Sequence, residues 1–258
     1  MNGRRHTAGF EHQGAHGTTR RLAPLLFWVV VLLVSFAPAS ATAERIQGSL
    51  RGFEQLRNPV WEAAKDLENH GYYFRELVPT VPARFRQLFP HIPKEICVAA
   101  IGATDQPKLP PVLVNVGGGR TTPVTLVVPP GTQLTFKNAD PFTHRLYGAG
   151  MKTFAAAETQ RGGTRDWTVP GPGVFEIRDE LAPSLRMWVI GEPKVVGIAY
   201  PSMGGQFRVT VPGPGDYVIQ PYFAGQKVGA PRAVTVDGKD VDLSRAPIDV
   251  APEKKQQK

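Results

Sequence analysis

Few residues in this 258-residue chain have the type and spacing to do chemistry, and His144 leads them. It closes the segment Asn138-Ala-Asp-Pro-Phe-Thr-His144. An imidazole can ligate a metal or carry a proton near neutral pH, although a lone histidine more often makes a structural hydrogen bond. Asp179 and Glu180 follow further along, and with His144 they could assemble a carboxylate-rich metal site. Cys97 is the single cysteine and lies in the apolar run Ile96-Cys-Val-Ala-Ala-Ile101. That setting favours a buried structural thiol over an intermolecular or reactive one. His70 and His91 flank an aromatic stretch and read as cap or turn residues. The chain has no Gly-x-Ser-x-Gly elbow, no phosphate loop and no His-Glu-x-x-His, so no catalytic residue is assigned.

Two stretches frame these residues. The first runs Val128-Pro-Pro-Gly-Thr-Gln-Leu-Thr-Phe-Lys-Asn138 into the His144 segment. The second is Gly171-Pro-Gly-Val-Phe-Glu-Ile-Arg178-Asp179-Glu-Leu-Ala182-Pro-Ser-Leu185-Arg-Met187-Trp188-Val189. Together they resemble the cupredoxins, small β-sandwiches that hold blue copper. The family pattern has a Pro-Gly turn, a strand, Asn-x-Asp and a His ligand, then a second Pro-Gly turn, an aromatic strand and a loop carrying Cys, His and Met. Exported members read Arg-Cys-x-x-His-Pro-x-Met-x-x-Trp-Val in that loop. Arg178, Pro183, Trp188 and Val189 fit this frame. Asp179 stands where the resemblance implies Cys, Ala182 where it implies His, and Leu185 where it implies Met. Blue copper needs two imidazoles and a thiolate with a weak axial thioether. The resemblance therefore implies the fold and leaves His144 as a remnant ligand position. Met187 lies two residues past the axial position and restores no site by itself.

The elements that must position these residues are short strands. Val174, Glu176 and Arg178 alternate with Phe175 and Ile177, the period-2 pattern of a half-buried strand. Strands are expected at 96–101, 112–116, 124–128, 133–137, 144–147, 166–169, 174–178 and 186–190, separated by Pro- and Gly-rich turns. Further strands are expected at 195–200, 206–211, 216–220, 233–236 and 241–243. The phrase Thr168-Val-Pro-Gly-Pro-Gly-Val-Phe-Glu-Ile177 recurs as Thr210-Val-Pro-Gly-Pro-Gly-Asp-Tyr-Val-Ile219. The stretch Gly205-Gln-Phe207…Val211-Pro-Gly-Pro-Gly-Asp-Tyr217 resembles the transthyretin-like (carboxypeptidase regulatory-like) sandwich. Earlier, Asn58-Pro59 caps an amphipathic helix carrying Val60, Trp61, Ala64 and Leu67 and ending at Asn69-His70-Gly71.

Composition and address complete the reading. The chain holds 27 Gly and 25 Pro, placed as punctuation between Val-rich runs, which favours strands over disorder. A basic start ending in Arg20-Arg21, the apolar run Leu25–Phe36 and the small-x-small triplet Ala41-Thr42-Ala43 form an export signal cleaved before Glu44. The apolar run falls short of the roughly 18–20 residues of a spanning helix, so no stable membrane span is expected after cleavage. Cleavage leaves 26 basic and 21 acidic residues, a net +5 in place of +8. No Lys/Arg run exceeds two before the tail, which argues against nucleic acid.

The expectation is an all-β protein: a cupredoxin-like Greek-key β-sandwich packed with a second small transthyretin-like β-sandwich, plus a short helical N-terminal extension. The expected divisions are a signal peptide at 1–43, a helical and aromatic extension at 44–92, the cupredoxin-like domain at 93–191, the transthyretin-like module at 192–245 and a disordered tail at 246–258. The expected role is an exported, non-catalytic cell-envelope scaffold, periplasmic or secreted, with no cofactor and with an envelope protein or polysaccharide as partner. The alternative is a copper-binding or electron-transfer protein with an altered site around His144.

Overall fold

The computed structural model describes residues 43–59 and 90–252. The export signal before residue 43, the helix expected beyond Pro59, the aromatic stretch with His70 and the tail from residue 253 lie outside the described residues. Among the described residues the only complete α-helix is the single turn α1 (Ile92–Glu95), and 18 strands carry the fold. No helix among them is long and apolar enough to cross a membrane.

The described chain opens with β1 (Glu44–Arg51) and, after α1, β2 (Ile96–Ile101). Nine strands then build one sandwich. Its first sheet contains β3 (Val112–Gly117), β4 (Arg120–Thr122), β6 (Gln133–Asn138) and β9 (Thr164–Thr168), in the order β4-β3-β6-β9. Its second contains β5 (Thr125–Val128), β7 (His144–Gly148), β8 (Ala157–Thr159), β10 (Gly173–Asp179) and β11 (Arg186–Gly191), in the order β5-β11-β10-β7-β8. β3 runs parallel to β6 and β5 parallel to β11, so the chain crosses between the sheets instead of meandering. The inward positions interdigitate as a core of Val114, Leu126, Leu134, Phe136, Leu146, Ile177, Leu185, Met187 and Val189 among others. A two-sheet β-sandwich thus stands within the span 93–191 where the cupredoxin-like domain is expected, with its strands confined to 112–191.

The second sandwich uses β12 (Val195–Ala199), β13 (Gln206–Val211), β14 (Gly215–Phe223), β15 (Gln226–Lys227), β16 (Arg232–Val236), β17 (Val241–Asp242) and β18 (Ile248–Asp249). These do not suffice alone. β1 is the middle of the sheet β13-β1-β17 and also pairs with β18. β2 is an inner strand of β12-β2-β14-β15, with β16 on the far side of β14. β1 and β2 thus complete a sandwich whose other strands come after residue 194.

Three expectations change accordingly. Residues 44–51 form a strand and not part of a helical extension: Glu44, Ile46, Gly48 and Leu50 alternate inward with Arg45, Gln47, Ser49 and Arg51 facing out or half out. Residues 96–101 belong to the second sandwich and not to the domain at 93–191. Ile96, Val98 and Ala100 enter its core, while Cys97 and Ala99 face the other way into an apolar seam with Val127, Ile190, Val195 and Tyr222. That double burial explains why this strand reads as a continuous apolar run. Finally, the tail does not begin at 246. Ile248 and Val250 are buried and β18 pairs with Leu50 and Arg51.

Candidate functional site

The site forms at one end of the first sandwich, where β6 gives way to the loop leading into β7. Asn138, buried at the end of β6, shapes that loop. Its Nδ2 donates to the Phe142 carbonyl at 2.8 Å and the Thr159 carbonyl at 2.9 Å, and its Oδ1 accepts the Asp140 N–H at 2.8 Å. The turn so formed aims Asp140 at the β3–β4 hairpin. There Gly118 and Gly119 both adopt positive φ, 64° and 65°, as two-residue hairpin turns of this kind require. Their N–H groups donate to Asp140 Oδ1 at 2.6 Å and Oδ2 at 2.9 Å.

His144 begins β7 and is wholly buried. Its Nε2 lies 3.0 Å from Asp140 Oδ2 and its Nδ1 lies 2.8 Å from Asp179 Oδ2. Asp179 ends β10 and is itself buried. Its Oδ1 accepts the N–H groups of Leu181 at 2.7 Å and Ala182 at 2.8 Å, and its Oδ2 also accepts the Arg145 N–H at 3.2 Å. Both carboxylates are thus surrounded by N–H donors and act as acceptors. Both ring nitrogens of His144 are thus engaged by carboxyl oxygens, one from each side. The Phe142 ring covers it at 4.8 Å between centroids. Burial alone would raise the Asp140 carboxyl, but the Gly119 and Gly118 N–H groups and the His144 ring outweigh it and hold the carboxyl below its ordinary value.

The residues singled out by the sequence separate into two sets. His144 and Asp179 are brought together, and Ala182 joins them only through its backbone N–H. Leu185 is 0% exposed in the hydrophobic core beside Met187, and the Ala182 side chain packs against the same core. Glu180 is not in the cluster: it faces outward and pairs with Arg145 at 3.0 Å. Cys97 lies in the seam, where burial pushes its thiol up to about 12, against smaller opposing effects from the Val127 backbone and the Tyr200 hydroxyl. His91 caps α1, as a turn residue should. Sequence reasoning passed over the partner role of Asp140 and of the Gly118-Gly119 turn, although Asn138-x-Asp140 and Gly117-Gly-Gly119 were visible signals.

The set implied for blue copper does not match these side chains. One imidazole is present with both nitrogens engaged, Asp179 brings a carboxylate to it, and Ala182 and Leu185 offer only hydrocarbon side chains. The three polar groups point at one another and not at a common centre. Among the described residues no group of three or more His, Cys, Asp or Glu is arranged to hold a metal ion.

No protein-family profile matches the sequence, and no curated protein does. Among solved structures, the chain is similar to a purple cupredoxin from Nitrosopumilus maritimus at 18% identity and a TM-score of 0.30, over 31% of this chain and 99% of that one. It is similar to the Cu(I) form of a methionine-to-alanine mutant of amicyanin at 20% identity and a TM-score of 0.29, over 31% of this chain and 81% of that one. The reduced state of a proline-to-phenylalanine mutant of amicyanin gives 18% identity and a TM-score of 0.30, over 36% of this chain and 99% of that one. Scores this low add no weight to the site.

Proposed function

We propose that this chain is an exported, non-catalytic cell-envelope protein. In this reading its cupredoxin-like sandwich has exchanged the copper centre for an internal ion cluster and serves as a scaffold for a partner. The observation that carries the proposal is the His144 ring, buried and bonded through both nitrogens to Asp140 and Asp179. A group that is fully engaged and shut from solvent has neither a free lone pair for a metal nor access to a substrate. The second sandwich carries the Gly205-Gln-Phe207 and Pro212-Gly-Pro-Gly215 phrases of the transthyretin-like modules, which act as accessories without catalytic residues. Export is supported by the Ala41-Thr42-Ala43 triplet ending one residue before β1 begins at Glu44. Cleavage there would release a chain that starts directly with a strand.

Copper titration tests this reading. Stoichiometric Cu(II) should give no intense blue absorbance and no rise in Tm, since only a ligand that binds the native state stabilises it. The triple variant Asp179→Cys, Ala182→His, Leu185→Met should gain copper affinity. In it Leu185→Met nearly conserves volume, and His144 is released from one of its carboxylates. Tight copper binding by the unmodified protein, abolished by His144→Ala, would sink the scaffold reading.

A further inference from the structure

The outer face of the β7–β10–β11 sheet carries a set of charges that the interior does not explain. Arg186, Arg178 and Tyr147 stand side by side across three strands: Arg178 is the register partner of Arg186 on β11 and of Tyr147 on β7. Like charges directly opposite on an antiparallel pair repel. Glu176 answers both of them, with Oε2 2.9 Å from Arg178 and Oε1 3.2 Å from Arg186. Arg145 lies one pleat further along β7 and pairs with Glu180. Each guanidinium offers five donors, and these ion pairs use one from each. The Nε atoms of Arg145, Arg178 and Arg186 are buried beneath the face without an acceptor, so only the terminal guanidinium nitrogens can meet a ligand, and Arg178 also hydrogen-bonds Tyr147. The Arg side chains remain 24–40% exposed, so their outer donors are open to solvent.

We infer that this arginine face binds a carboxylate-bearing polysaccharide, the acidic polymer being read by the guanidinium donors of Arg178, Arg186 and Arg145. The inference rests on the scaffold reading and names the class of its partner. Guanidinium groups fit carboxylates bidentately, and the chain after export would carry a net +5 that draws in a polyanion. A peptide is the poorer fit. β10 is hydrogen-bonded on both sides, to β11 and β7, so the face offers no free strand edge for β-addition. The ligand must therefore be held by side chains alone, and a polymer with one carboxylate on each sugar supplies acceptors at regular intervals along an open face.

Affinity electrophoresis and calorimetry at low ionic strength, with polygalacturonate as the probe, test the inference on the exported full-length chain. Polygalacturonate should retard and bind the protein, neutral dextran should not, and added salt should weaken the binding. Arg178→Gln with Arg186→Gln should weaken it roughly tenfold or more. The pair Arg178→Lys with Arg186→Lys keeps the charge but loses the fork. It should fall between wild type and the Gln pair, and it serves as the test if the Gln pair fails to give a native melt. No binding by the wild type, or binding unchanged in both pairs, overturns the inference. So does equal binding of poly-L-glutamate, which would mark a general polyanion surface. Copper uptake would defeat the scaffold reading and leave polygalacturonate binding where it stands, so the two failures are distinguishable.

Discussion

At His144 a ring closed to solvent lies between two carboxyl groups, each within hydrogen-bond distance of one ring nitrogen. Burying charges is tolerable only when every one is paired and hydrogen-bonded, and here the backbone N–H groups of Gly118, Gly119, Arg145, Leu181 and Ala182 complete the pairing. Removing the ring leaves two carboxylates facing each other in a space closed to water. His144→Ala should therefore lose about 3–5 kcal/mol, the range for breaking a buried pair. Chemical denaturation reads this directly, and a loss under about 1 kcal/mol would show the cluster to be slack. Asp140 sets the pH dependence. Its carboxyl is lower in the folded chain than when unfolded, so its contribution is complete above its ordinary value and disappears as pH falls through the lowered folded value. Asp140→Asn should flatten the acid limb of a Tm-against-pH curve. An unchanged limb would mean that other groups set it.

At the scale of elements, β1 shows what local pattern does and does not reveal. Its alternation is present in Glu44-Arg-Ile-Gln-Gly-Ser-Leu-Arg51, but its partners β13, β17 and β18 lie well over a hundred residues away, and nothing local announces them. Ile46→Ala should cost about 2–5 kcal/mol as a core truncation, whereas Arg45→Ala, on the exposed side, should stay within about 0.5 kcal/mol. Thermal melts of the two variants check this, and equal effects would return residues 44–51 to the role of a loose extension. Most of the first sandwich was readable, because its strands are punctuated by Pro-Gly turns and their inward residues alternate. At the site, His144 and Asp179 were visible in the sequence as candidate residues. The cluster around His144 was not, since it depends on Asp140 and on a pair of glycines brought near only by the β3–β4 hairpin. Ile96–Ile101 misled for the opposite reason: a strand buried on both faces carries no alternation to say which sandwich owns it.

At the scale of the whole molecule, the two sandwiches meet along a buried, largely apolar seam. Cys97 and Ala99 of β2 and Tyr222 of β14 pack on Val127 and Ile190, and the Tyr200 hydroxyl donates to the Thr125 carbonyl at 3.1 Å. The turn after β14 comes so close to Trp188 that a Cβ on Gly225 would lie 2.7 Å from the indole. Cys97 reports on this seam. Its thiol is buried and pushed up to about 12, so at neutral pH it is protonated, and the reactive thiolate is scarce. A disulfide reagent should label the native protein only as fast as the seam opens, and at full speed in denaturant. Labelling of the native chain at the rate of a free thiol would contradict the packed seam.

The pairing of β2 with β12 has one more consequence. Ile101 and Val195 are register partners, and Gly102 N–H donates to the Lys194 carbonyl at 2.8 Å, so the chain leaves the second sandwich and re-enters it at nearly the same point. The first sandwich is therefore a nested insertion, entered and left through a single doorway. During synthesis it can complete every one of its pairings while the host is still missing β12 to β18. The host must hold β1 and β2 in waiting until the last strands arrive, which makes it the high-contact-order half of the protein and the slower to fold. A lineage could exchange the inserted sandwich for another, or lose it, without redrawing the host's sheets.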